Sequence, residues 1–477
     1  MHRRHFLSVS AQAALVAASA SRLSALSVSP LDGRGGLRTA DDSALAVQAN
    51  PRANLNSGAD RMAWWREARF GMFVHWGMYA ILAGRWGGRT DYGEWIRNNA
   101  RIPIDEYDTL RARWKPELFD ADALARLAKR AGMKYLVITT KHHDGFALWP
   151  SRQGAFNVSR TGDQRDIMRM VADACRRHGV VPCWYHSIMD WHHPDYLPRR
   201  DWEAPQRPSD GASFTRYVNF LHAQVEELLT NYGDIGVMWF DGEWESTWTH
   251  ELGAALSDKC RSLQPHVLVN NRVAPNRGGM GDATIGRIGD FGTPEQTIPD
   301  RGLPGVDWES CITMNQNWGF NAADHAFKSV PTLVGMLSDT ASKGGNLLLN
   351  VGPMDSGAIP TESIDRLQGL AQWMDDHADS IHGTLASPFE GTSYRATRST
   401  GGERINVFLS AWPSSRELLL PGLLTVPTHA TMLGSSGQTL PIRRVDAGVV
   451  VTLPSAPSNA TCSVLRVEAR QPLIVRA

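Results

Sequence analysis

The sequence predicts an α/β chain of the (β/α)8-like, TIM-type barrel class, followed by a C-terminal antiparallel β-sandwich. Three observations carry that prediction. From Phe119 onward one phrase recurs: amphipathic helix, Gly or Pro break, near-continuous apolar strand, polar or aromatic tip. Such strands alternating with helices describe a parallel sheet covered by helices. No GxGxxG follows the first strand, which weakens a doubly wound dinucleotide-binding sheet. Beyond about Ser387 the helical period stops, and short apolar segments alternate with turn residues.

The barrel repeats begin with a helix over about Ala121 to Ala131, with Asp120 as N-cap and Gly132 as its end. The strand Lys134–Thr139 follows, leading to Lys141-His-His-Asp-Gly145. Next come a helix over about Asp166–His178, broken at Gly179, and the strand Val180–Tyr185, leading to His186, Asp190, Trp191, His192 and His193. The third unit has a helix over about Phe214–Thr230 and the strand Ile235-Gly-Val-Met-Trp-Phe-Asp241. The fourth has a helix over about Leu252–Leu263 and a strand His266–Asn270 ending in Asn271-Arg272. Later strands are expected around Trp308–Thr313 and Asn346–Val351, with helices from about Pro331 and over about Thr361–Asp376. Residues 276–305 read as a long Gly/Pro-rich loop. Sandwich strands are expected at Arg404–Leu409, Glu417–Leu420, Ala430–Leu433, Gly448–Leu453 and Ser463–Val467.

At the N-terminus, Arg3-Arg4-His5-Phe6-Leu7 precedes a mildly apolar Ala-rich run and Ala18-Ser19-Ala20. This is the pattern of a twin-arginine export signal over 1–27, with a flexible leader over 28–57. The barrel is then expected over 58–386 and the sandwich over 387–477. The apolar run is too short for a membrane span. Lys+Arg and Asp+Glu both count 49, so the formal net charge is zero and nothing points to nucleic acid. The five Cys are scattered without a CxxC pair, so neither a zinc site nor a disulfide framework is expected. Seventeen Trp in 477 residues hint at stacking surfaces for sugars.

Chemistry-bearing residues gather at the strand tips, where barrel active sites are built. They are His75 with Trp76, Glu94 with Trp95, His142-His143, Tyr185-His186, Trp239 with Asp241, and Arg272. Asp241 closes an apolar strand and is flanked by Trp239 and Trp244, an arrangement that suits a sugar ring lying on an apolar platform beside a carboxylate. The alternative for Asp241-Gly242 is a plain turn. Trp239 and Asp241, two apart, should face the barrel mouth together, with Phe240 packing outward. Neighbours on a strand point to opposite faces, so His142-His143 and His192-His193 make poor chelating pairs; no metal and no cofactor are expected.

Retaining glycoside hydrolysis needs two carboxyl groups, one as nucleophile and one as acid/base. Asp241 suits the first role. Candidates for the second are Glu243, Asp290, Glu295 and Glu309. Glu243 is too near Asp241 in sequence to face it across a sugar. Glu295 lies in the long loop and can fold over the mouth, while Glu309 sits deeper and reads better as a buried carboxylate orienting a neighbour.

Arg66-Glu-Ala-Arg-Phe-Gly-Met-Phe-Val-His-Trp-Gly77, Gly93-Glu-Trp95, Lys141-His-His-Asp-Gly-Phe146, Tyr185-His-Ser187 with Asp190-Trp191, Met238-Trp-Phe-Asp-Gly242, Asn271-Arg272, Trp318-Gly-Phe320 and Gly345-Asn-Leu-Leu-Leu-Asn-Val-Gly-Pro353 occur in this order. Together they resemble the exported α-L-fucosidases of glycoside hydrolase family 29, over roughly residues 60–385. The resemblance implies a retaining exo-α-L-fucosidase acting on fucosylated glycans. It implies Asp241 as nucleophile, and His75, Glu94, Trp95, His142, His143, Trp239 and Arg272 around the fucose. Tyr185 or His186 would match a strand-end Tyr; this chain has Tyr-His where Tyr-Tyr is usual. Trp318 or Phe320 would lie near the fucose methyl. Thr293-Pro-Glu295 matches the variable acid/base loop, with Glu309 in reserve. The rival readings are a non-catalytic glycan-binding barrel and a barrel hydrolase for another glycoside or a metal-dependent substrate.

Overall fold

Seven parallel strands form one curled sheet in the order β5-β4-β3-β2-β1-β7-β6. They are β1 Phe70–Val74, β2 Tyr135–Lys141, β3 Val181–Ser187, β4 Val237–Asp241, β5 Leu268–Val269, β6 Glu309–Thr313 and β7 Asn346–Val351. The computed structural model describes residues 60–278 and 287–476. The expected export signal and leader lie outside the described residues.

The helices between the strands begin on side-chain caps. Asp120, Asp166, Ser213, Thr249 and Ser329 each accept from the backbone N–H three residues on. Each such cap satisfies a donor that the helix itself leaves free and contributes about 1 kcal/mol. Helices Ala121–Arg130, Ile167–His178, Phe214–Thr230, His250–Leu263, Val330–Ser342 and Thr361–His377 cover the sheet.

The expected loop 276–305 contains a barrel stave. Between the edges β5 and β6, residues 291–295 make parallel bridges on both sides: Asn270 with Phe291, Gly292 with Trp308, and Glu295 with Cys311. Asn271 N–H donates to Phe291 O at 3.0 Å, and Cys311 N–H to Pro294 O at 3.0 Å. Pro294 has no N–H to give and interrupts the ladder, so the stave is irregular and carries no strand signature. It nevertheless joins the two edges of the curled sheet and fixes the backbone of Glu295 to the barrel wall.

Inside the barrel, alternate residues stack in layers. Phe73, Tyr135, Val137, Cys183, Tyr185, Val237, Trp239, Cys311 and Leu348 form the interior cluster, while Phe240 and Met238 pack outward with the helices. The helix Ala63–Ala68 plugs the base with Trp64 and Trp65. At that base Glu309, the first residue of β6, is fully buried. It accepts from Tyr135 Oη and, at 3.1 Å, from Trp239 Nε1. Gly71 makes room for Tyr135, because a Cβ there would lie 2.4 Å from the Tyr135 ring.

The C-terminal sandwich pairs a five-stranded sheet with a three-stranded one. Its first strand is Thr384–Leu385; the strands Arg395–Ser399 and Ile442–Val445 also lack a clear apolar signature in the sequence. The larger sheet sits on the last barrel helix, where Trp373 Nε1 donates to Cys462 O at 2.9 Å. All five Cys are buried free thiols.

Burial pushes the Glu309 carboxyl up from 4.5 to about 7, against the lowering effect of the Tyr135 and Trp239 hydrogen bonds. Below 4.5 the acid is protonated in both folded and unfolded chains. Between 4.5 and about 7 only the folded chain keeps the proton, so the stability it supplies declines as pH rises and is gone above about 7. Glu309→Gln, which keeps an acceptor for Trp239, is therefore expected to gain melting temperature relative to the parent as pH rises from 4.5 to about 7. A difference that stays flat across that interval contradicts this account of Glu309.

Candidate active site

At the C-terminal mouth of the barrel lies a pocket of about 140 Å³. Phe73, His75, Glu94, Trp95, His142, Tyr185, Trp239, Asp241, Trp244, Arg272, Glu295, Cys311 and Trp318 line it. Asp241 ends β4, and Gly242 at φ 95° turns the chain away at once. The Asp-Gly pair is thus both a turn and the delivery of a carboxylate.

Arg272 connects two of the three acidic groups of the pocket, Asp241 and Glu295. It sits on the tight turn Asn271–Val273 just after β5 and is buried. Its Nη1 donates to Asp241 Oδ1 at 2.9 Å and its Nη2 to Glu295 Oε2 at 2.9 Å. Nε donates to Thr293 Oγ1 at 2.8 Å, and the guanidinium carbon lies 4.8 Å from the centre of the Trp239 ring. A buried charge is tolerable only when paired in this way.

Asp241 takes two further contacts. Tyr185 Oη donates to Oδ2 at 3.1 Å, and His143 Nε2 stands 3.5 Å from the same oxygen. Burial alone would raise the Asp241 carboxyl. The Arg272 charge and the contacts from His143 outweigh it, holding the group far below the usual carboxylate range. Burial and the nearby Asp241 charge push the Tyr185 hydroxyl well up, so it remains a donor.

The histidines have assigned faces. Asn350 Nδ2 donates to Trp318 O at 2.8 Å, which turns Asn350 Oδ1 toward His75 Nδ1 at 2.7 Å. Nδ1 of His75 is therefore the donor. Burial lowers this imidazole to about 3, so its Nε2 offers the pocket a lone pair. Burial also holds His142 neutral, well below its ordinary value. Ser187 Oγ gives its proton to Met189 O at 2.8 Å, so His143 Nδ1 donates to Ser187 at 2.5 Å. Glu94 is raised by burial, partly offset by backbone N–H groups; Gly319 N–H donates to its Oε2 at 3.2 Å.

Several sequence expectations need correction. His142 and His143 do not diverge: a register shift between Thr139 and Lys141 bends the end of β2, and the two rings lie 4.2 Å apart. His143 stands beside Asp241, with its ring against the pocket residues Trp95 and Trp244. His186 points outward, bonded to Thr140 Oγ1 at 2.8 Å, because β3 alternates and Tyr185 takes the inner face. Phe320 lines a separate cavity of about 220 Å³ behind Trp318. Glu309 lies at the base of the barrel, outside the pocket. Asp290 is occupied by Arg61, Arg261 and the Val269 N–H. Glu243 is buried with Oε1 3.5 Å from Arg277, and burial plus the Asp241 charge push it up to about 7.

Phe73 and Cys311 were missed as pocket residues. Phe73 lies two residues before His75 on the same face, so alternation along β1 carried that information. Cys311 carried no signal, since its place depends on the stave beside it. Among the described residues no group of three or more His, Cys, Asp or Glu side chains could hold a metal ion, and no helix is long and apolar enough to cross a membrane.

The α-L-fucosidase family model matches residues 39–379. The α-L-fucosidase of Dictyostelium discoideum is 27% identical over 423 residues, covering 82% of this chain and 88% of that protein. Human tissue α-L-fucosidase is 28% identical, over 83% of this chain and 86% of its own length. Among solved structures, α-L-fucosidase isoenzyme 1 from Paenibacillus thiaminolyticus superposes with a TM-score of 0.78 at 34% identity, covering 86% of this chain and 98% of that one. A family 29 enzyme from Bacteroides thetaiotaomicron, trapped as a covalent intermediate with 2-fluoro-fucosyl fluoride in a glutamate-to-glutamine variant, matches with a TM-score of 0.78 at 28% identity, over 88% and 97% of the two chains. With most of its length matched by the family model, and with its strand-tip carboxylates, histidines and indoles converging on one mouth, this chain belongs to the α-L-fucosidase family of glycoside hydrolases.

Proposed function

We propose that this protein is a retaining exo-α-L-fucosidase that releases terminal fucose from fucosylated glycans by double displacement. The observation that carries the reading is the single Arg272 guanidinium shared by Asp241 and Glu295 at the barrel mouth. One fork touching both carboxylates suits the close pair of a retaining enzyme, about 5–5.5 Å apart, better than the wider pair that inversion needs.

Asp241, ionised and rigidly held, attacks the anomeric carbon, while Glu295 gives a proton to the departing glycosidic oxygen. The sugar is then an ester of Asp241, which has lost its charge. Glu295 has by then given its proton to the departing oxygen, and Arg272 still holds it in place. Glu295 can therefore take a proton from water as that water attacks the anomeric carbon and breaks the ester bond. The trapped covalent intermediate of the Bacteroides enzyme supports the same route here.

The pocket suits one terminal ring. Its volume of about 140 Å³ is below the roughly 300–1,000 Å³ of sites for drug-sized ligands. His75 Nε2, His142 and Glu94 can engage hydroxyls, and the apolar corner of Phe73, Trp239 and Trp318 can take the methyl of a 6-deoxy sugar.

Parent enzyme acting on an aryl α-L-fucoside is expected to release α-fucose first, read by NMR; β-fucose appearing first contradicts retention. With azide, Asp241→Ala should form β-fucosyl azide and Glu295→Ala should form α-fucosyl azide. Glu295→Ala should lower kcat/KM on a fucosylated oligosaccharide by about 10²–10⁴-fold; full activity in that variant would move the acid/base role to another group.

We also propose export in the folded state. The Arg3-Arg4 signature supports it, as do five buried thiols that need no oxidation. Replacing both arginines by lysine should retain activity inside the cell; undiminished export would contradict the twin-arginine route.

A further inference from the structure

Trp244 stands apart from the other indoles. It is 48% exposed, and it is the one aromatic among the exposed large apolar side chains of the described residues. It also lines the pocket that holds Asp241 and Glu295. Single exposed apolar residues are ordinary on protein surfaces. What distinguishes Trp244 is that its neighbours hold it in place.

Glu243 on one side is buried with Oε1 3.5 Å from Arg277, and Glu245 on the other pairs with Arg200 at 3.0 Å. Arg200 in turn lies 5.1 Å from the centre of the Trp191 ring. The Trp244 ring runs nearly parallel to Trp95, with an interplanar angle of 16° and centroids 6.3 Å apart. It meets His143 edge-on at 5.9 Å. Its backbone is thus held between the buried Glu243 and the Glu245–Arg200 ion pair, and its ring is braced by two aromatic groups, while half of its surface stays open to solvent.

The reacting carboxylates orient whatever reaches this ring. With Asp241 attacking the anomeric carbon from within the pocket, the leaving oxygen and everything attached to it must point out of the mouth. We propose that Trp244 is the platform for the leaving group, stacking on the apolar C–H face of the pyranose ring that carries the fucose. A pyranose has such a face, and an indole held flat at the rim complements it. The inference rests on the fucosidase reading given above and deepens it.

The test compares two substrates with the same glycone. α-L-Fucosyl fluoride has no ring beyond fucose, whereas α-1,2-fucosylgalactose has a pyranose leaving group. The ratio of their kcat/KM values, disaccharide over fluoride, is expected to fall about tenfold in Trp244→Ala. It should fall less in Trp244→Phe, which keeps an aromatic face and serves as the readout if the alanine variant does not fold. A ratio that stays within twofold of the parent's, or rises, overturns the proposal. Hydrolysis of the fluoride by the parent enzyme tests the fucosidase reading separately: parent activity with an unchanged ratio sinks only the platform.

Discussion

A single buried guanidinium organises the mouth of this barrel. Arg272 draws Asp241 from β4, Glu295 from the irregular stave and Trp239 from the barrel interior into one contact set. The dependence is mutual. Without anionic partners a buried arginine would be costly to fold around, and without the arginine two carboxylates this close would repel and raise each other's proton affinity. The pull on Asp241 is strong enough to overcome its own burial. The barrel wall exists in its present form partly to make this possible, because only the stave 291–295 brings Glu295 within reach.

The same interaction gives the proposed two-step reaction its order. A charge shared between two carboxylates in the free enzyme becomes the property of one when the other is esterified. The acid of the proposed first step, having lost its proton to the leaving group, is then held by the same guanidinium as the base of the second. Deeper in the barrel, Glu309 plays a different part. It anchors the Trp239 indole from below, and Trp239 in turn lies against Arg272. An acid that resembles a catalytic candidate in sequence thus supports the floor on which the proposed catalytic pair rests.

What could be read from the sequence followed from alternation. Trp239 and Asp241 face the mouth and Phe240 packs outward because β4 is a regular strand with period two. The same rule, applied to β3, places Tyr185 inside and His186 outside, and so decides between two residues that motif likeness left open. The rule fails at His142-His143, where the end of β2 is bent by one residue and both rings swing to one side. It also fails to find the eighth stave. A segment reading Phe-Gly-Thr-Pro-Glu has neither apolar period nor unbroken ladder, so it reads as loop although it completes the wall. Glu309 and Asp241 are separable by their place along the strand. Both are inward-facing acids on strands, but one opens its strand at the sealed base and the other closes its strand at the mouth. The sequence separates these ends, because Asp241 follows its apolar run and Glu309 precedes one.

The central claim is that Asp241 becomes the covalent partner of the sugar while Glu295 stays free. The most direct measurement is to treat the Glu295→Gln variant with 2-fluoro-fucosyl fluoride, then locate the label by peptide mass spectrometry. The account predicts one fluorofucosyl group per chain, carried by the peptide containing Asp241 and lost in the Asp241→Ala background. A label on Glu243, Glu295→Gln unlabelled under conditions where the parent turns over, or labelling that persists without Asp241 would contradict it.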